Sequence, residues 1–510
     1  MSTPELDAAL DKLVDSRLVY RRGTPPEANY TFKHALVQDA AYDSILKRDR
    51  LDLHKKIAET LAANFPAIAE TEPEILAHHY TRAELADDAV PNWLAAGQLA
   101  LSRFAPTEAL GHLGAGLRLV NRLAESRDRD RLELALHMAT ASAYNATEGW
   151  ASDHTKATYD RALPIIQRLG RDESTFDTRM GIYFFHNVRG EMDQAAPVIV
   201  DAVNYADRQG SAANKLVAYQ AYGQNTWYRG EFSKSVDCLE TSMSVYDRAK
   251  HAALANVWGT DFYASDLAWL GSVYWLVGRP DQASLAVERA REHAQSLQQA
   301  NTKAWVEAIC SSARLLQGEL DLAIETAISA CQKTSAIDFK IQEYLARAVL
   351  GAARILQGAN SVGISELESG LASFQGLGGG IYVPWWKSIL GFGYAKDGRF
   401  DDAQRLLDGA GRQVELGGEI WSDPLINEMR GKGSLLKGER PQAMDHFKTG
   451  LEIAHNLASP SLALRLARNL AVLVDPDAGR SILGPIYHQF TEGFAAPDLR
   501  AAKQVLETLN

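Results

Sequence analysis

The stretch Gln317–Ala323, QGELDLA, decides the fold, because the chain repeats its pattern. RGEMDQA, RGEFSKS, VGRPDQA, QGANSVG, DGRFDDA and KGERPQA are further copies, and the seven glycines are Gly190, Gly230, Gly278, Gly318, Gly358, Gly398 and Gly438. Successive gaps are 40, 48, 40, 40, 40 and 40 residues, so one insertion of eight interrupts a fixed period. A period of this length signals stacked supersecondary units, each burying an apolar face against its neighbours.

Three columns keep step with the glycine. Five residues after it stand Ala195, Ser235, Ala283, Ala323, Gly363, Ala403 and Ala443; twelve after it stand Ala202, Ser242, Ala290, Ala330, Gly370, Ala410 and Gly450. All are small. Seven before it come Tyr183, Gly223, Gly271, Ser311, Gly351, Gly391 and Gly431, where only Tyr183 is large. Glycine inside a helix costs roughly 1 kcal/mol against alanine, so its recurrence predicts helices that cross at close range. The turn glycine has the other role of the residue, ending a helix in the left-handed region. The unit is therefore a helix A–turn–helix B hairpin.

Two earlier units fit the columns less tightly. Trp93, Gly97, Ala109, Leu113 and Gly116 occupy the columns of a first repeat, with Phe104 in place of the turn glycine. Residues 131–170 read as a second helix pair, in which Ser142 precedes Gly149 by seven and Ala162 follows it by thirteen. Nine hairpins from about residue 91 to about residue 457 predict an all-α superhelix. The pattern resembles tetratricopeptide repeats, whose unit is 34 residues long; longer B helices or inter-repeat turns would absorb the difference. The repeat array is expected over 91–475. A C-terminal cap is expected over 476–510, where Ile482, Leu483, Ile486, Tyr487 and Phe490 make an apolar face.

Composition narrows the function. A net charge of -11 and a pI near 5.7 oppose nucleic acid and anionic lipid surfaces on average. Cys238, Cys310 and Cys331 lack metal-ligand spacing and suit a reducing, cytoplasmic setting. No run of 18 apolar residues occurs, so no membrane span is expected.

The front end has another grammar. An amphipathic helix to about Leu13, a short strand at Leu18–Tyr20, the turn RGTPPEA, a second strand in NYTFKH and a helix from Ala35 to Leu46 predict a winged-helix module within residues 1–60. Connecting helices are expected over 61–90. The first helix carries Glu5, Asp7, Asp11 and Asp15 against Lys12 and Arg17, which disfavours DNA.

YTFKHALVQDAAY at Tyr30–Tyr42, followed by Arg50, His54, Ile57 and Leu61, resembles signal transduction ATPases with numerous domains. In particular it is similar to bacterial proteins that join a class III adenylate or guanylate cyclase, a P-loop ATPase and a tetratricopeptide array. HHYTRA, PNWLAAGQLA, WGTDFY, VGRPDQA and FTEGFAAPDL carry the likeness along the chain. The resemblance implies that His34 senses a nucleotide by reaching the β-phosphate of ADP held by an upstream domain. Ala35 stands where plant and animal relatives usually have aspartate, which implies a weaker or differently built latch. The alternative for His34 is a helix-capping or core histidine.

No catalytic motif accompanies this likeness. G-x-x-x-x-G-K-[ST] is absent, GKGS at Gly431–Ser434 has the wrong order, and no G-x-S-x-G elbow occurs. The chain is therefore expected to be the carboxy-terminal part of a larger protein or a shortened product, with no enzyme activity and no cofactor of its own. ATP or ADP would belong to the upstream ATPase or cyclase domain. His78 and His79 are adjacent and point about 100 degrees apart on a helix, so metal binding is not expected. Counting back from each turn glycine places Asn187, Gln224, Trp227, Tyr228, Trp275, Trp305 and Trp385 on or near the groove of the array. Aromatics with polar neighbours suit a protein, peptide or small effector, although packing between hairpins explains such residues equally. The insertion, Tyr246–Asp261, is the second candidate contact surface. A scaffold that binds partner proteins without nucleotide coupling is the alternative function.

Overall fold

The computed structural model describes residues 3–25, 28–103, 105–148, 152–170, 173–337 and 340–509. The expectations at Pro26, Phe104 and Gly149 lie outside these. The chain divides into two compact units, residues 1–143 and 144–510. This division falls inside the array expected over 91–475.

The first unit opens with α1 (Thr3–Asp15), β1 (Val19–Arg22), β2 (Asn29–Phe32), α2 (Ala35–Ser44) and α3 (Lys47–Asn64). The strands pair antiparallel with Val19 opposite Phe32 and Arg22 opposite Asn29. α4 (Pro66–Thr71) and α5 (Pro73–Arg82) follow, then the helices Ala86–Ser102 and Pro106–Leu119. In that last pair a Cβ on Gly97 would strike Leu113, so these columns do mark a helix crossing.

In the second unit all seven turn glycines separate two helices, for example Ala300–Leu316 from Leu320–Ser335 around Gly318. Their φ values run from 75 to 113 degrees, a region open to glycine without Cβ strain. Gly318 N–H donates to Leu315 O at 3.1 Å and Glu319 N–H to Arg314 O at 3.0 Å. This double bond pattern closes the last turn of helix A. The small columns sit at the crossings, with Ala195, Ala283, Ala323 and Ala443 fully buried. The closest approach is in the Gly358 hairpin (Lys340–Gln357 and Asn360–Gly376), where a Cβ on Gly351 would lie 2.8 Å from Gly363 O. The fold is an all-α, tetratricopeptide-like solenoid.

A second, unforeseen column joins neighbouring hairpins. The residue ten after one turn glycine bonds the residue four before the next: Glu240 accepts from Tyr274 at 2.7 Å, Glu288 pairs with Arg314, and Glu368 accepts from Tyr394.

The array also coils back onto itself. Gly380 N–H donates to Val188 O at 2.7 Å, Leu457 packs on Gly230, and Ser459 and Ser461 donate to Leu276 O and Trp275 O at 2.7 and 2.5 Å. Arg465 donates to Leu316 O at 3.2 Å. The turns of the first four glycine-marked hairpins thus meet, in chain order, the connection after the Gly358 hairpin and the segment that opens the helix Pro460–Ala471. At the tail, Pro476–Tyr487 and Pro497–Thr508 are helical, and Leu483, Ile486 and Phe490 are buried as their apolar pattern requires.

Candidate functional site

The groove candidates lie where the array closes. Trp227, Tyr228, Trp275, Trp385, Asn187 and Gln224 are all buried, and Trp305 is half-buried with its indole N–H on Ser265 Oγ at 3.1 Å. The expectation of an open lining is corrected on this point: later hairpins fill the space that helix A faces. Trp227 stacks on Trp421 at 5.0 Å between centroids and meets Tyr382 at 5.5 Å; Trp385 meets Trp421 at 5.3 Å. Arg465 lies 5.5 Å over the ring of Trp275, and Asn187 Oδ1 accepts from Tyr183 at 3.1 Å.

Tyr382, Trp421 and Glu419 were not among the expected site residues. Their signal, IYVPWW and EIWSDP at the start of two late A helices, is visible in the sequence. Their meeting with Trp227 is not, because it depends on superhelical pitch. Glu419 accepts from Tyr382 N–H at 2.9 Å and from the Trp421 indole at 2.8 Å. Burial pushes its carboxyl up to about 8. Glu419 Oε2 and the indole nitrogens of Trp227, Trp269 and Trp386 have no hydrogen-bond partner among the described residues. Each such group costs about 1–3 kcal/mol. Glu428 is the opposite case: burial alone would raise it, but Lys432 at 2.6 Å, Arg465 and Arg468 hold it down at about 2.

The open concavities lie between successive B helices. One, of about 370 Å³, is floored by Tyr263, Leu267, Leu270 and Tyr274 and walled by Glu240 and Arg289. Arg289 donates to Tyr263 Oη at 2.8 Å, and Leu285 on the rim is 57% exposed. The insertion adjoins this cleft through Tyr246, which meets the lining residue Tyr263. The Tyr246 ring is tilted against that of Tyr263 at 5.4 Å between centroids and donates through Oη to Asp261 Oδ2 at 2.6 Å, while Asp261 N–H donates to Thr302 Oγ1 at 2.9 Å. Burial opposes ionisation of Asp261, but His293, Tyr246 and the Ala264 N–H outweigh it and keep the carboxyl below its usual range. The insertion is thus a built segment held on both sides. A second cleft of about 340 Å³ repeats the position between the Gly398 and Gly438 hairpins, lined by Asp408, Arg412, Asp423 and Arg430.

His34 heads α2 with extended backbone, φ -136 and ψ 133 degrees; its side chain is exposed and makes no capping bond. Neither a capping nor a core role describes it. Lys33 lies 5.5 Å over the Tyr20 ring. Cys238, Cys310 and Cys331 are unpaired, and burial pushes the Cys238 thiol up to about 11, so it stays protonated and unreactive at neutral pH. No described helix is long and apolar enough to cross a membrane.

Comparison with known proteins adds the following. No family model matches the chain. An uncharacterized protein of Rhizobium meliloti (strain 1021) is 25% identical over 485 residues, which is 91% of this chain and 45% of that protein. The chain therefore spans less than half the length of this relative. Among solved structures, a Rap protein complexed with competence and sporulation factor has a TM-score of 0.44 at 13% identity, covering 83% of this chain and 100% of that one. The APC/C hetero-tetramer Cut9–Hcn1 has 0.35 at 14% identity, covering 93% and 95%. The human IFIT1 dimer with PPP-AAAA has 0.40 at 13%, covering 82% and 90%.

Proposed function

We propose that this chain is the partner-binding and regulatory region of a longer signalling polypeptide, with the cleft beside the insertion as its contact surface. The observation that carries this reading is the cleft itself: two tyrosines, an arginine, a glutamate and an exposed leucine gathered at the one junction that departs from the 40-residue period. Aromatic and arginine side chains around an apolar floor are what peptide and protein partners engage. The buried aromatic column then serves as the stiff core that carries a change in array shape.

The front end takes the part of a winged-helix module, and His34 that of the nucleotide sensor for an upstream ATPase or cyclase domain. Support comes from the resemblance of residues 30–61, from the exposed imidazole at the head of α2, and from the greater length of the Rhizobium relative. A hydrogen bond between imidazole and phosphate is worth roughly 1.5–3 kcal/mol, enough to bias a two-state switch.

Two measurements test this. Peptides selected on the full chain should lose about tenfold or more in affinity with Tyr263→Ala; equal binding removes the cleft. In the polypeptide that joins this chain to its nucleotide domain, His34→Ala should speed ADP release. Unchanged release, together with capture of a stable protein partner by residues 144–510, would point instead to a scaffold without nucleotide coupling.

A further inference from the structure

α2 is weakly rooted. None of its described residues is buried, and Leu36 near its start is 82% exposed. At its far end Tyr42 Oη lies 3.0 Å from His54 Nε2 on α3, and His54 Nδ1 lies 2.8 Å from His79 Nδ1 on α5. The side-chain relay therefore runs across three helices. Arg50 on α3 adds a contact over the Tyr42 ring at 5.1 Å and a 3.4 Å ion pair with Asp43.

We propose that Tyr42, His54 and His79 form a proton-operated joint that fastens α2 to α5 and releases it when both imidazoles are protonated. This concerns the first unit alone and goes beyond the partner-binding reading.

Donor and acceptor counting excludes the state in which both imidazoles are protonated. A neutral imidazole has one N–H and one lone pair. Tyr42 O–H donates to His54 Nε2, His54 Nδ1–H donates to His79 Nδ1, and every position in the chain is used once. One added proton is accommodated, since the pair keeps a shared N–H···N bond and Tyr42 reverses to accept from His54 Nε2–H, but it sets a cation beside the neighbouring rings. A second proton puts two N–H groups face to face at a 2.8 Å separation, so the bond becomes a repulsion.

The surroundings favour the neutral form. From α5 the ring of His78 lies 6.2 Å from His54 and 5.5 Å from His79, and Arg82 adds a positive charge. From α2 come Tyr42 and, through Arg50, Asp43. Burial first, then these cationic neighbours, push His54 and His79 below the ordinary histidine value, and burial and Arg82 do the same for His78. The sign follows. Detached histidines titrate near 6.5 and take up protons more readily than the joined ones. The joint is therefore intact above that value and is lost as pH falls below it.

The function this serves is control of α2 by local pH. Histidine is the side chain whose ordinary pKa places its charge change between about pH 5 and 8.

The test is hydrogen exchange on the full chain, corrected for intrinsic rates, at pH 7.5 and 5.5, with the histidine ring protons titrated by NMR. The expected result is that α2 amides lose about tenfold or more protection at pH 5.5, while the helix Phe262–Leu276 is unchanged. In His79→Gln, which keeps a hydrogen-bonding side chain that does not titrate, α2 protection should be the same at both values. Equal α2 protection in the wild type at both pH values overturns the proposal, as does a pH dependence that survives His79→Gln. Should that variant fold poorly, wild-type His54 and His79 titrating at or above 6.5 overturn it alone.

Discussion

Residues 3–65 and the glycine-marked hairpins are both mostly helical, yet they solve burial in opposite ways. In the helix Phe262–Leu276 nearly every side chain is buried, while across the described part of 3–65 only Val19, His54 and Ala58 are. Leu36 and Leu46 are 82% and 72% exposed and Tyr20 is 58% exposed. Helices in the array acquire their partner from the next repeat. The front end leaves these apolar side chains without cover from the described residues.

Four variants would break or sharpen this contrast. The largest effect is expected for Gly351→Val, whose side chain would meet the backbone of Gly363 and Leu367; unfolding of the second unit should fall by about 4 kcal/mol in denaturant titration. Glu428→Gln comes next, at about 3 kcal/mol, because it leaves Lys432 and Arg465 without their shared carboxylate. The folded Glu428 value lies below its unfolded one, so wild-type stability from this group is present above about 4.5 and is lost as pH falls toward about 2.

Glu419→Gln should act in the other direction. Its folded value of about 8 lies above the unfolded one, so the folded state retains the extra proton and stability falls as pH rises from about 4.5 toward 8. The amide removes that slope, with a gain of roughly 2 kcal/mol at pH 8 seen as a higher unfolding midpoint. The smallest effect belongs to the front end: Leu36→Ser with Leu46→Ser should change the stability of this chain by no more than about 0.5 kcal/mol. A loss as large as that of Gly351→Val would show that α2 has a core after all.

The hairpins were legible because their signal is local. A turn glycine and three small columns report contacts within one unit, and each column recurs often enough to be read. The front-end strands were legible for the same reason, although β1 is shifted toward Arg22 relative to Leu18–Tyr20. What could not be read was closure. Trp227 and Trp421, or Ser459 and Leu276, come together across almost two hundred residues without any shared spacing. Burial of the groove aromatics follows from that contact, so their residue types suggested a lining while their positions made a core. The Glu240–Tyr274 column was visible in principle, but it alternates tyrosine with arginine and lapses at Ile328 and Val200, which hides it from a search for identical residues.

The coiled-back contact also bears on how such a chain can evolve. Solenoids commonly gain or lose whole units, since each touches only its neighbours. Here Val188 is matched to Gly380 and Trp275 to Ser461, so deleting a 40-residue unit between Trp275 and Gly380 would shift both matches by one place. Between these points the number of units is therefore held constant, and drift in length is confined to the loops and to the ends.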